Sequence, residues 1–441
     1  MENRMMAGTA RADITPPLGY LLQGHGARNK PSEKVHDPLE LKVLSMRKGK
    51  DRVLIASCDL AGFDPKFIEL ARRDISEKTG LAPFQVLICA SHTHTGPFTL
   101  DLLGEDASNI IPEYMSVVSK KIAGTAMEAM NNEEEVLARY GRTKIDMGIV
   151  NRRRKNPDGT IGGPDPSGPV DYEVSVLSFE REKGDPLAIL FNYGCHPTTL
   201  AADIFQVSAD FPGAAKREIE HFYPGTMAHF TNGCFGDVRP NLLDSKGENF
   251  RGGSFGDLQR MGRLLASGVI RAREEAVPLP VEKLESRLEV FPFPFDPGYR
   301  FKDEESLEKI FPGLVYKFRK TYQPLESELR WKEFWMEKLR RKEAVPPTVN
   351  RDIQVIKIGG VRIIGIPGEA VAETGLKIKK TLGTAFTVGV SNGYLSYMPS
   401  AGVLEEGGYE ASLFFYQEYP GPFASDTERL MLERIYSMAR G

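Results

Sequence analysis

The sequence predicts a mixed α/β fold, and three observations carry that prediction. Apolar runs short enough to be buried strands alternate with longer segments of helical periodicity. The order strand, helix, strand recurs, which favours parallel strand pairs crossed by a helix. Apolar residues make up 41% and charged residues 27% of the 441-residue chain, the balance of a globular protein with a sizeable core.

The elements follow in chain order. "RVLIASCDL" (52–60) reads as a buried strand, "PKFIELARRDISEKTG" (65–80) has helical spacing and stops at Gly80, and "FQVLICAS" (84–91) is a second strand. A helix is expected over 113–131, strands near 135–145, 173–180 and 187–193, and a helix near 213–221. A strand near 226–231, an amphipathic helix over 257–275 and a strand near 283–292 come next. Strands 352–358 and 361–366 form a hairpin turned at "GG", before a helix from 370 to 381, a strand at 385–391 and a terminal helix at 426–439. No internal repeat, low-complexity tract or linker divides the chain, so 1–441 reads as one domain. The segment 296–347, charged and aromatic in "DEESLEKI" and "ESELRWKEFWMEKLRRKEAV", is predicted helical and reads as an insertion or lid within that domain.

Composition narrows the function classes. A net charge of −3, from 57 basic and 60 acidic residues, gives no overall electrostatic case for binding nucleic acid or anionic membrane. The opening "MENRMMAGTARADITPP" lacks the apolar core of a secretion signal, and no run reaches the roughly eighteen apolar residues of a membrane span. A cytoplasmic location without integral membrane association is therefore expected, with self-association left open. Cys58, Cys89, Cys195 and Cys234 lie far apart without CxxC spacing and are expected to be buried free thiols.

Polar residues collect where the strands end, the place α/β proteins use for binding groups. In "SHTHTGP" (91–97), His92 and His94 share a face if strand geometry persists, since side chains alternate with period two. "LFNYGCHPTTL" (190–200) ends in His196, and the Gly-rich turn "TNGCFGDVRPNL" (231–242) carries Asp237, Arg239 and Asn241. "IIGIPGEAV" (363–371) places Glu369 at a helix start, and "NGYLSYMPSAGVLEEGGYEAS" (392–412) supplies Tyr394, Tyr397 and Tyr409. Zinc takes such donors, yet no HExxH-like spacing assembles them. By residue type alone, a metal site and a set of satisfied strand-end residues both fit.

In their order these pieces resemble the neutral/alkaline ceramidase family of zinc amidohydrolases. "AGTARADITPPLGYLLQGHG" is similar to the family's opening strand and loop, "SHTHTGP" to its "THTHSGP", and "GCHPTTL" to its second histidine motif. "GDVRPN" resembles "GDVSPN", "IPGEAVAETG" resembles "PGEFTT", and "IVNRRRKNP" (149–157) resembles the "NRSP" segment. "YLSYMPS…GGYEAS" is similar to "YxxYxTT…YEAAS", with Tyr397 and Tyr409 keeping the twelve-residue separation. The resemblance covers nearly the whole chain and implies a catalytic domain alone, without the family's C-terminal immunoglobulin-like domain.

The resemblance implies one zinc ion held by His92, His196, Glu369 and Tyr397, with His94, Arg152 and Tyr409 facing the substrate carbonyl and Asp237 orienting them. Such an ion lowers the pKa of bound water towards about 7, so the expected reaction is attack of zinc-bound hydroxide on the amide, cyclic or N-acyl, of a small-molecule substrate. His94 is expected to carry the proton to the leaving amine. Two departures bear on the substrate: Arg239 stands where the family has the serine often assigned as nucleophile, and Arg152–Arg154 replace part of "NRSP". Arginine cannot attack a carbonyl but binds carboxylates bidentately, which implies an anionic substrate other than ceramide and no serine acyl-enzyme. Ser254, in "GGSFG" (252–256), fits GxSxG but lacks the preceding apolar strand of a nucleophile elbow. An esterase or lactonase, and a metal-binding protein without chemistry, are the alternative readings.

Overall fold

The computed structural model describes residues 4–103, 107–320 and 323–441. Three sheets share one plan. In the first, Met5–Asp13, Glu40–Lys48 and Asp51–Cys58 run antiparallel in succession, and Val86–Ala90 then pairs parallel to Asp51–Cys58 after the crossover helix Pro65–Thr79. The second repeats this with Leu137–Lys144, Glu173–Glu180 and Pro186–Tyr193, the helix Asp210–Phe222 and the parallel strand Met227–Asn232. The third uses Leu284–Pro294, Thr348–Ile358 and Val361–Gly365, the helix Ala372–Leu382 and the parallel strand Ala385–Val388. The mixed α/β class and most expected elements stand. The repeat is topological: strand order and crossover are reproduced, but the side chains are not.

Two of the long strands lie outside the elements read from residue pattern. Glu40–Lys48 is buried nearly throughout, but Lys42 interrupts its apolar run; the ammonium is 1% exposed and pairs with Glu220 at 2.5 Å and Glu40 at 3.1 Å. Met5–Asp13 alternates small and polar residues and pairs along its whole length with Glu40–Lys48. The "GG" hairpin is as expected: Gly359, at φ 54°, opens the two-residue loop between Ile358 and Val361, a conformation that suits glycine.

The three parallel edge strands meet. Gly389 N–H donates to Asn232 O at 3.0 Å, Asn392 N–H to Ile88 O at 2.8 Å, and Asn232 Nδ2 to Ser91 O at 3.0 Å. Their carboxyl ends therefore face one region. Backbone strain gathers there as well: His92 (φ 69°), Val390 (φ 46°), Asn392 (φ 55°) and Ser396 (φ 96°) are held in the left-handed half of conformational space at about 1–3 kcal/mol each.

Within 296–347, Glu304–Arg319 and Glu326–Arg340 are helices as expected, residues 321–322 lying outside the described ones. Trp331 and Trp335, four residues apart, are buried on one face, and both indole N–H groups donate to Tyr419 O at 2.7 and 3.1 Å. Each such burial contributes about 1.5–3 kcal/mol. The segment is packed into the core on that face, and Leu325, Glu326, Ser327 and Arg330 border the cavity described below. All four cysteines are buried and free. Among the described residues no helix is long and apolar enough to cross a membrane.

Candidate metal centre

Each sheet sends at least one donor into the common region. His92 and His94 follow Val86–Ala90, His196 follows Pro186–Tyr193, and Glu369 follows Val361–Gly365. Strand alternation is not what joins His92 and His94. The strand ends at Ala90, His92 takes a left-handed φ, and His94 lies in the turn beyond.

The imidazoles are oriented by the backbone. His92 Nδ1 lies 2.5 Å from Ala61 O, His94 Nδ1 lies 2.8 Å from Gly24 O, and His196 Nδ1 lies 3.0 Å from Phe235 O. A carbonyl only accepts, so each Nδ1 carries the proton and each Nε2 is a bare lone pair. Those three nitrogens point at one another, and ligand atoms of His92, His94 and His196 lie within 4.8 Å of one another. His92 Nε2 is 3.1 Å from His94 Nε2 and 3.3 Å from Glu369 Oε1, while His196 Nε2 is 2.8 Å from Glu369 Oε2. Lone pairs facing lone pairs and a carboxylate at these distances repel; a divalent cation among them turns the repulsion into coordination. The donor set of neutral imidazole and carboxylate oxygen suits zinc and similar ions.

The surroundings hold this arrangement. Gly24, at φ 105°, passes so close that an added Cβ would lie 2.5 Å from the His94 ring. Tyr394 donates to Glu369 Oε1 at 2.7 Å. Tyr397 O–H lies 3.1 Å from His196 Nε2 and accepts from Arg152 Nη2 at 2.9 Å. Burial pushes the Tyr397 phenol well above its ordinary range against the pull of Arg152, so ionising it takes further positive charge at the centre.

Arg152 also donates from Nε to Glu410 Oε1 at 2.8 Å, and its guanidinium lies 5.1 Å from the Tyr409 ring centre. Glu410 bridges onward to Arg153. Tyr409 is 45% exposed, borders the cavity and meets Tyr397 edge-on at 5.5 Å. Asp237 does not reach the donors: its oxygens accept from Ala372 N–H at 2.7 Å and Asn151 Nδ2 at 2.8 Å, so it fixes the turn that carries Arg239. Ser254 is the N-cap of the helix Phe255–Glu274, accepting from Asp257 N–H, which accounts for the "GGSFG" pattern.

His92, His94, Glu369, Tyr394, Tyr397 and Tyr409 line one side of a cavity of about 460 Å³. A larger cavity of about 600 Å³ behind Asp237 shares none of the metal donors. Residue pattern missed Glu410, which lies one position past Tyr409.

The mixed α/β fold is shared with solved ceramidases. Neutral ceramidase from Pseudomonas aeruginosa superposes with a TM-score of 0.74 and 19% identity over 100% of this chain and 74% of that one. A ceramidase complexed with C2 superposes with a TM-score of 0.73 and 18% identity over 99% of this chain and 75% of that one. At such identity the likeness is one of fold. No family model matches the sequence.

Proposed function

We propose that the protein is a zinc-dependent hydrolase of amide bonds in small molecules, using one ion per chain. The observation that supports this most is the convergence of three carbonyl-oriented histidine Nε2 atoms and the Glu369 carboxylate at the wall of a cavity. His92, His196, Glu369 and Tyr397 would hold the ion. When bound, it supplies Lewis acidity, polarising the carbonyl and making water acidic enough to attack at neutral pH.

The chain's own residues then have distinct work. Arg152, kept charged by Glu410, donates to Tyr397 and stabilises negative charge growing on the carbonyl oxygen. Tyr409 presents its hydroxyl from the cavity wall. His94, with Nδ1 committed to Gly24 O, offers Nε2 to take a proton and return it to the leaving amine. Its Nε2 also lies within the donor group, so holding the ion is the competing role. The helix beginning at Glu326 forms the facing wall and limits substrate size.

The test is metal content after purification without added zinc, with turnover of matched amide and ester substrates before and after chelation. Stoichiometric metal and chelator-sensitive amide cleavage are expected; protein that binds no divalent ion, or cleaves amides equally after chelation, refutes the proposal. His92→Ala should lose the ion, while His94→Ala should retain it and lose turnover; equal loss makes the pair a chelate.

A further inference from the structure

We infer that the cavity beside the histidine centre takes a substrate with a single apolar arm of about ten carbons or fewer, and that Leu325, just before the helix Glu326–Arg340, sets that limit. The arm as part of an amide substrate rests on the hydrolase reading; the apolar face that receives it does not.

Leu100, Leu102, Leu325, Leu413 and Tyr416 border the same cavity as the metal donors. They come from three segments, each held in place by hydrogen bonds. Gln23 grips the first: its Oε1 accepts from Thr99 N–H at 2.9 Å and Leu100 N–H at 3.1 Å, and its Nε2 donates to Leu100 O at 2.9 Å. Leu103 N–H donates to Tyr416 O at 2.9 Å, which ties that segment to the turn Leu413–Tyr416. Leu325 N–H donates to Glu328 Oε2 at 2.5 Å, and the fully buried Glu328 accepts from Arg319 Nε at 3.0 Å. With Trp331 and Trp335 bonded to Tyr419 O as well, the helix wall is part of the packed core.

Of the large apolar side chains left exposed among the described residues, Leu325 at 56% and Tyr409 at 45% border the cavity. Apolar surface left wet inside a concave site is what the apolar group of a ligand covers. The volume bounds that group. About 460 Å³ holds about fifteen groups the size of a water molecule, at about 30 Å³ each. The amide and the atoms next to it take about a third of them, which leaves about ten carbons. Two long alkyl chains do not fit. Past Leu325 the rim turns charged, where Glu326 pairs with Arg330 and both border the cavity. A longer chain would lie against that ion pair and strip its water without replacing the lost hydrogen bonds. Arg239, expected from the sequence to meet an anionic substrate, does not border this cavity; its guanidinium lies over the Phe250 ring at 4.2 Å.

Calorimetry with the N-methylamides of butanoic, hexanoic, octanoic, decanoic, dodecanoic and tetradecanoic acids tests this, with released methylamine measured alongside. Affinity should rise about fourfold for each methylene buried and level off by about ten carbons. Leu325→Ala should move that break about two carbons longer, and Leu325→Trp about two carbons shorter. Leu329→Ala is the control: Leu329 is 49% exposed on the same helix but does not border the cavity, so the series should be unchanged. Affinity that ignores chain length overturns the apolar face. A full rise through the tetradecanoic amide overturns the limit, and a break that stays put in both Leu325 variants overturns the role of Leu325. A protein that binds the series as expected but releases no methylamine overturns the hydrolase reading and leaves the apolar face standing.

Discussion

Tyr394→Phe isolates one hydrogen bond at the centre. The ring is buried and stays; only the hydroxyl that donates to Glu369 Oε1 at 2.7 Å is removed. Burial keeps that phenol protonated, hence a donor, at any working pH. A hydrogen bond to a charged acceptor contributes about 1.5–3 kcal/mol, and each 1.36 kcal/mol is about tenfold in an equilibrium. Glu369 holds its two oxygens towards different histidines, Oε1 at 3.3 Å from His92 and Oε2 at 2.8 Å from His196, so freeing Oε1 lets the carboxylate turn away from one of them. Metal affinity should fall about 10–100-fold, the range found when partners of metal ligands are removed. Competition of the protein with a chromogenic chelator for zinc measures this directly. Affinity unchanged within about twofold, or increased, would refute both the orienting role of Tyr394 and the place of Glu369 among the ligands.

Glu410→Gln leaves Arg152 and Arg153 buried without their shared carboxylate, a loss of about 3–5 kcal/mol. Burial alone would raise the Glu410 carboxyl, but Arg152 and Arg153 hold it below 4.5, so its stabilisation is full above that pH and is lost as pH falls through the folded value. Urea midpoints should differ most at pH 7 and converge as pH falls through the folded value, which lies below 4.5; a constant gap refutes the assignment. Gly24→Ala forces a Cβ against the His94 ring from a left-handed backbone position, and should reduce turnover about 100-fold. A fall in stability with unchanged kcat would show that the His94 ring position does not matter. Ser254→Ala removes a helix cap and should cost about 1 kcal/mol by denaturation with amide turnover intact; loss of turnover in folded protein would restore Ser254 as nucleophile.

Much of this was legible because apolar strands and their polar ends are local signals. The runs before His92, His196 and Glu369 are continuous in sequence, and each donor stands a few residues beyond one. Lys42 hid a strand because its charge is satisfied by Glu40 and by Glu220, on a distant helix. The alternation argument for His92 and His94 reached convergence by the wrong route, since it assumed a strand where the backbone turns. Spacing could never have joined His92, His196 and Glu369, because each comes from a different sheet.

That division among sheets has a thermodynamic side. His92, His196 and Glu369 span roughly 280 positions of the chain. An ion bound by all three is a cross-link between the modules, closing two long loops at once. By mass action it stabilises the assembled state by about 2.7 kcal/mol at a hundred times its dissociation constant. Free metal concentration would thereby raise the melting temperature of the whole chain as well as fill its centre.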